Sequence, residues 1–162
     1  MGKWLALFLA GLALTGCASF TPMDRPAFPV AEYESLAKSG TGIVTGQVFL
    51  RTMVGEVRYG AGSEVMLNPV TSYSRFWYEN GYLAKRAMGD ADARQDAYII
   101  TTQADGSGNF RFDNVPAGDY YLTSSVFWQV PLGQFSSTQQ GGWISEKISI
   151  SDGEEVRKML TK

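Results

Sequence analysis

The chain has 162 residues with 14 basic and 16 acidic side chains, no histidine, and a single cysteine, Cys17. These absences remove the usual ligands of zinc, copper and haem and exclude nucleophile systems built on Ser-His or Cys-His pairs, so neither a cofactor nor an enzymatic activity is expected. The mildly negative balance also argues against a nucleic-acid partner, because phosphate binding needs a clustered basic patch.

At the N-terminus, Lys3 precedes the eleven apolar residues 4–14 (WLALFLAGLAL). This is the charged start and apolar core of a secretory signal, and it is too short to cross a hydrocarbon layer that needs about 20 apolar residues. The following Leu14-Thr15-Gly16-Cys17 resembles a lipobox, the processing signal of bacterial lipoproteins. The resemblance implies a signal peptide over 1–16, cleavage before Cys17, a diacylglycerol on its sulfur and a fatty acyl group such as palmitate on its new amino group. One acyl chain holds a protein only marginally, at about 0.8 kcal/mol per buried methylene, so several chains on one residue make a durable membrane anchor. Ala18 and Ser19, with no Asp after the Cys, resemble the sorting pattern of outer-membrane lipoproteins facing the periplasm. The competing reading makes Cys17 an ordinary small residue at a general cleavage site.

The mature chain of 146 residues has 13 basic residues after loss of Lys3, and its length suits one domain with a real core. Residues 17–41 carry three prolines and little periodicity, and read as a lipid-anchored tether, extended and mobile in its first part, with a short helix over 32–38. From Gly42 the pattern is that of strands. In GIVTGQVFL, Val44, Gly46, Val48 and Leu50 share one face, the alternation of a half-buried strand. EVMLN (64–68), YIITT (98–102), NFRFD (109–113), DYYLTSSVFW (119–128), WISEKISI (143–150) and EVRKMLT (155–161) continue it. Gly-containing turns at 105–108, 116–119 and 151–154 separate them, with Gly where a tight turn wants positive φ. Seven to eight such strands predict an all-β sandwich over 42–162.

One segment breaks this rhythm. Within 71–97, Phe76, Asn80, Leu83 and Ala87 fall at helical spacing and Gly89 marks a stop, which predicts a partly helical insertion. Gly81 weakens that helix by about 1 kcal/mol relative to Ala.

The stretches Gly46-Gln47-Val48, GSEVML (62–67), DGSGNFRF (105–112) and VPAGDYYL (115–122) together resemble the carboxypeptidase regulatory-like domain. The resemblance covers roughly 42–161 and implies a transthyretin-like (prealbumin-like) Greek-key sandwich acting as a non-catalytic accessory or binding module, with no catalytic residue to carry over. Here DGSG makes a hairpin, and Phe110, Phe112, Tyr120 and Leu122 enter the core. Related domains cross-link Lys to Asn, but the first strand has no Lys.

Asp105, Ser107 and Asn109 alternate as calcium ligands do, yet the twelfth position of that loop is Pro116 rather than Glu, so a plain turn is the better reading. Glu146 and Lys147 point to opposite faces of their strand and read as surface charges. Trp128 and Trp143 read as core or core-edge residues. The insertion, however, spends five aromatics within ten residues: Tyr73, Phe76, Trp77, Tyr78 and Tyr82. Flat rings with polar edges suit sugars and protein partners, and insertions on rigid scaffolds carry binding sites; the same rings could instead dock the insertion on the sandwich. The leading functional reading is a lipid-anchored, non-enzymatic envelope protein that offers its sandwich to a protein partner. A glycan-binding module using the five aromatics is the alternative. A carboxylate-based enzyme would need two carboxylates about 5–9.5 Å apart in a cleft.

Overall fold

The computed structural model describes residues 21–162. The signal peptide expected over 1–16 and the lipidation expected at Cys17 lie outside the described residues. Two four-stranded sheets form a sandwich. In the first, β1 (Gly42–Arg51) pairs antiparallel with β2 (Val57–Tyr59) and β5 (Asn109–Val115), and parallel with β8 (Glu155–Leu160). In the second, the order is β4 (Ile100–Gln103), β3 (Glu64–Pro69), β6 (Gly118–Pro131) and β7 (Ser137–Ile150), antiparallel throughout. The all-β sandwich with a helical insertion is therefore as the alternation predicts. The expected strand set lacked β2, and it stopped short of the hairpin that β6 and β7 build out to Pro131 and Ser137.

The core is made by the inward-facing half of each strand. Val44 and Val48 of β1, Leu67 of β3, Phe110 and Phe112 of β5, Leu122 of β6, Ile144 and Ile148 of β7 and Leu160 of β8 are buried together. Fully burying such a side chain stabilises by about 1.5–3 kcal/mol. Gly46 lies on the same face but leaves its volume to a neighbour. A Cβ there would sit 2.6 Å from Phe110 Cζ and 1.9 Å from the Lys158 carbonyl oxygen, so the glycine admits both the ring and the parallel strand β8. Tyr120 closes the entry to β6 by donating from its hydroxyl to the Pro116 carbonyl at 2.8 Å, a buried bond that ties the turn to the strand it starts.

The Asp105–Gly108 turn is not a hairpin. β4 and β5 belong to different sheets, and the turn carries the chain across the sandwich. Asp105 Oδ1 accepts from the backbone N–H groups of Ser107 and Asn109 at 2.8 and 2.9 Å, and Gly108 takes φ +78°. These bonds, led by the Asn109 side chain, hold the Asp105 carboxyl below the usual carboxylate range. Glu146 and Lys147 also part company: Glu146 pairs with Lys158 at 3.1 Å and Lys147 with Asp119 at 2.7 Å.

Of the tether expected over 17–41, extended and mobile in its first part, the stretch from Met23 onward is docked. Met23 donates its N–H to the Ala87 carbonyl and accepts from the Gly89 N–H, while Arg25 Nε donates to the Gly89 carbonyl at 2.8 Å. The short helix falls at Val30–Glu34 (α1) rather than 32–38. It inserts Tyr33, fully buried, under Phe28, whose ring stacks on it at 4.4 Å and meets Tyr73 edge-on at 5.5 Å. Glu32 accepts from the Ser72 N–H and hydroxyl at 2.7 and 2.5 Å. The physical reason is shared need: neither the Pro-rich segment nor the insertion has a core of its own, so each covers the other's aromatic rings. Among the described residues no helix is long and apolar enough to cross a membrane.

Candidate functional site

The strands of the second sheet turn one set of residues inward and the other outward, and the register lines up the outward set in rows. Met66 lies opposite Thr101 and Thr123, Thr123 opposite Ser145, and Asn68 opposite Tyr121. The insertion rests on this outer face. It opens with α2 (Ser72–Trp77), where Thr71 Oγ1 accepts from the Ser74 N–H and the Ser74 hydroxyl accepts in return from the Thr71 N–H. This reciprocal cap satisfies donors a helix start leaves orphaned.

After Trp77 the α-helix does not continue through Leu83 and Ala87 as their spacing predicts. Residues Tyr78–Leu83 form a π-helical turn, in which the Ala84 N–H reaches the Glu79 carbonyl. The wider turn changes which side chains share a face. Leu83 is left exposed, whereas Trp77 and Tyr82, five positions apart, have ring centroids 6.1 Å apart. Gly81 sits inside this turn because a Cβ there would lie 2.8 Å from Met88 Cγ and 3.1 Å from Trp77 Cδ1.

Two contacts fix the turn to the sheet, and a third ties it to the chain beyond β8. The Tyr78 ring stacks on Tyr121 at 4.3 Å. The Ser145 N–H donates to the Tyr82 hydroxyl at 2.9 Å, which occupies an otherwise unpaired donor of the edge strand β7. Lys162 Nζ lies 5.4 Å from the centre of the Tyr82 ring. Burial pushes up the pKa of the Tyr78 and Tyr121 hydroxyls.

Between insertion and sheet lies a cleft of about 890 Å³, lined among others by Trp77, Tyr82, Trp143, Met66, Asn68, Gln95 and Thr123. That volume is within the range of about 300–1,000 Å³ typical of small-ligand sites. Its polar groups are unevenly satisfied. Asn68 is 8% exposed, and its Oδ1 is buried without a hydrogen-bond partner. An orphaned buried acceptor costs about 1–3 kcal/mol, and this one belongs to a residue of the cleft wall. The lining carries the cationic side chains of Arg25, Lys85, Arg86 and Lys162 against the single side-chain carboxylate of Asp96.

The five aromatics of the sequence pattern thus divide. Trp77 and Tyr82 line the cleft. Tyr73 is buried, its hydroxyl accepting from the Asp92 N–H at 2.9 Å, and it joins insertion to N-terminal segment. Tyr78 docks on Tyr121, and Phe76 is half-buried outside the cleft lining. Trp143 corrects a second expectation. Because Ile144, Ile148 and Ile150 face the core, its parity turns it outward, and it is 50% exposed in the cleft lining rather than in the core. Trp128, of the opposite parity on β6, packs against the core. Asn68, Gln95 and Thr123 were not singled out from the sequence. A polar residue at the outward end of EVMLN is an ordinary surface residue until the insertion covers it.

Fold and cleft together define a two-sheet β-sandwich protein with an aromatic cleft beneath a helical insertion. No family model and no curated protein matches the chain. Among solved structures it is similar to a crystal structure from Pseudomonas aeruginosa, of a protein provisionally named a carbohydrate binding protein. The TM-score is 0.76 and the identity 28%, over 86% of this chain and 100% of the other.

Proposed function

We propose that this chain is a non-catalytic carbohydrate-binding protein that holds a glycan in the cleft between the 71–97 insertion and the outer face of the second sheet. The observation that carries the reading is the buried, unpartnered Oδ1 of Asn68, a residue of the cleft wall that Trp77, Tyr82 and Trp143 also line. A sugar ring offers an apolar C–H face and a rim of hydroxyls. The face packs on an aromatic side chain, and a rim hydroxyl can donate to the amide oxygen when the Asn68 side chain turns that atom from its buried position toward the cleft it lines, satisfying a group left unpaired in the free protein. The name of the Pseudomonas aeruginosa neighbour supports the same ligand class. Asp96 is the one side-chain carboxylate in the lining, which favours binding over a hydrolysis by paired Asp or Glu side chains.

The deciding variant is Asn68→Leu, tested by titrating the full chain, purified in detergent, with a panel of oligosaccharides. Removing the orphaned acceptor should leave stability unchanged or raise it by up to about 1–3 kcal/mol while weakening glycan binding at least about tenfold. Unchanged binding would remove Asn68, and with it this cleft, from the proposal.

We further propose that the protein is a lipoprotein of the bacterial envelope held through Cys17, with a sandwich of the carboxypeptidase regulatory-like kind; the support is the lipobox and the paired DGSGNFRF and VPAGDYYL stretches. Cys17→Ala should abolish lipid labelling and move the protein out of the membrane fraction. A protein-partner reading retains one specific observation. The end of the β6–β7 hairpin exposes Leu132 at 68% and Phe135 at 94%, more apolar surface than a solvated turn requires.

A further inference from the structure

We infer that the cleft selects acidic glycans, with a uronic acid carboxylate as the recognised group; the inference rests on the carbohydrate-binding reading above. The whole chain is net negative, at −2, yet the side chains of the cleft lining have the opposite sign, with Arg25, Lys85, Arg86 and Lys162 against the one side-chain carboxylate of Asp96. Among the described residues none of these four cations forms an ion pair within 4.0 Å; Lys38, Arg51, Arg75 and Arg157 outside this cleft are unpaired as well, so what sets the cleft apart is the gathering of four such charges on one lining.

Their surroundings hold some of these charges in position without neutralising them. Arg25 uses Nε on the Gly89 carbonyl, which leaves its terminal nitrogens to form the planar fork that matches a carboxylate. Lys162 is carried against the face of Tyr82. Lys85 takes φ +53°, a conformation unusual for a residue with a Cβ, at the exit of the π-helical turn. Clustered unpaired charge of one sign beside low-dielectric ring faces concentrates the field on whatever enters. The buried Asn68 oxygen provides an independent polar anchor, suited to a sugar hydroxyl, that a bare anion would not use. The pairing of a hydroxyl acceptor with surplus cations is what an acidic sugar presents in reverse.

The test uses oligosaccharide pairs that share length and linkage and differ in the carboxylate: oligogalacturonate and its galactose counterpart, oligomannuronate and β-1,4-manno-oligosaccharide, oligoglucuronate and cello-oligosaccharide. A sulfated neutral-backbone oligosaccharide supplies a different anion. For the full chain in detergent, at least one uronate should bind about tenfold or more above its neutral partner at about 0.1 M salt, and the advantage should shrink near 1 M, where the screening length falls from about 10 to about 3 Å. The double change Lys85→Asn and Arg86→Gln, at two exposed positions and with an αL-tolerant residue at 85, should bring the ratio of uronate to neutral affinity close to one, with the melting temperature in place. Equal or better binding of the neutral partners overturns the acidic preference and leaves the carbohydrate reading standing. Sulfated material bound as tightly as every uronate overturns the carboxylate assignment. No binding by any member of the panel overturns both readings.

Discussion

The ring of Tyr78 lies flat on the ring of Tyr121, with centroids 4.3 Å apart and planes 17° from parallel. Tyr121 belongs to β6, in the middle of the second sheet, and Tyr78 opens the π-helical turn, so this stack is where the insertion meets the sandwich. It also separates two roles that the sequence pattern ran together. Tyr78 spends its face on the sheet, whereas its neighbour Trp77 lines the cleft and meets Tyr78 and Tyr82 only at centroid distances of 6.5 and 6.1 Å.

That division sets opposite expectations for two adjacent substitutions. Tyr78→Ala deletes a half-buried ring and its stack, and should cost about 2–4 kcal/mol, less than the 3–5 of a fully buried aromatic. Glycan capture should fall with it as the turn lifts from the sheet. Trp77→Ala should lower capture by more than about tenfold, about 1.4 kcal/mol, with a smaller loss of stability than Tyr78→Ala. Thermal unfolding and glycan titration on the same two proteins decide the matter. If Trp77→Ala is the more destabilising, its ring is a docking element and not a binding surface.

Two glycines with positive φ should respond unequally. At Gly108, φ is +78° and a Cβ would lie 2.4 Å from the Val48 carbonyl oxygen, so alanine meets both strain and a backbone clash. At Gly118, φ is +155° but the nearest atom to a Cβ is Tyr120 Cε2 at 3.7 Å, so alanine meets strain alone. Gly118→Ala should cost about 1–3 kcal/mol and Gly108→Ala more, about 3–5, a large share of a typical total of about 5–15. Chemical denaturation of both variants checks the order. A reversal would mean that the crossing at 105–108 yields more easily than the entry to β6.

Much of the sandwich is legible because alternation is a local property. Val44 and Val48, Phe110 and Phe112, and Ile144 and Ile148 face the core wherever the neighbouring strands come from. Trp143 obeys the same alternation: it precedes core-facing Ile144 and so turns outward. Sheet membership is less legible: DGSG has hairpin composition, but whether the next strand pairs back or crosses over depends on β1, which lies about sixty positions upstream. The candidate site is harder still. The aromatic cluster marks the right segment, but the phase change at Gly81 that brings Trp77 beside Tyr82, and the cover that makes Asn68 a buried acceptor, arise only from packing between distant stretches. The docking of Met23 on Ala87 and Gly89 is of the same kind, invisible to any periodicity.

The junction between the N-terminal segment and the insertion carries a charge whose titration is testable. Asp92 accepts from the Arg94 guanidinium at 2.7 and 2.9 Å and from the Arg94 N–H at 3.0 Å, and the side-chain bonds lead in lowering its pKa from 3.8 to about 2. The Arg94 guanidinium also lies 4.7 Å from the centre of the Phe28 ring, so the ion pair holds a cation over the aromatic layer. Because the folded-state value is depressed, the linkage stabilises the fold at pH above the ordinary carboxylate pKa and is lost as pH falls from about 4 toward about 2. Carboxyl carbon shifts followed by NMR during acid titration should show Asp92 still ionised at pH 3, where an exposed unpaired Asp is already mostly protonated. Arg94→Gln should return its midpoint toward 3.8 and loosen Phe28, read as increased hydrogen exchange over 28–36. Salt should move the wild-type midpoint upward, since the pair is exposed to solvent and screened by it. A wild-type midpoint already at the ordinary value would mean that Arg94 does not clamp Asp92 in solution, and that the N-terminal segment is held by its rings alone.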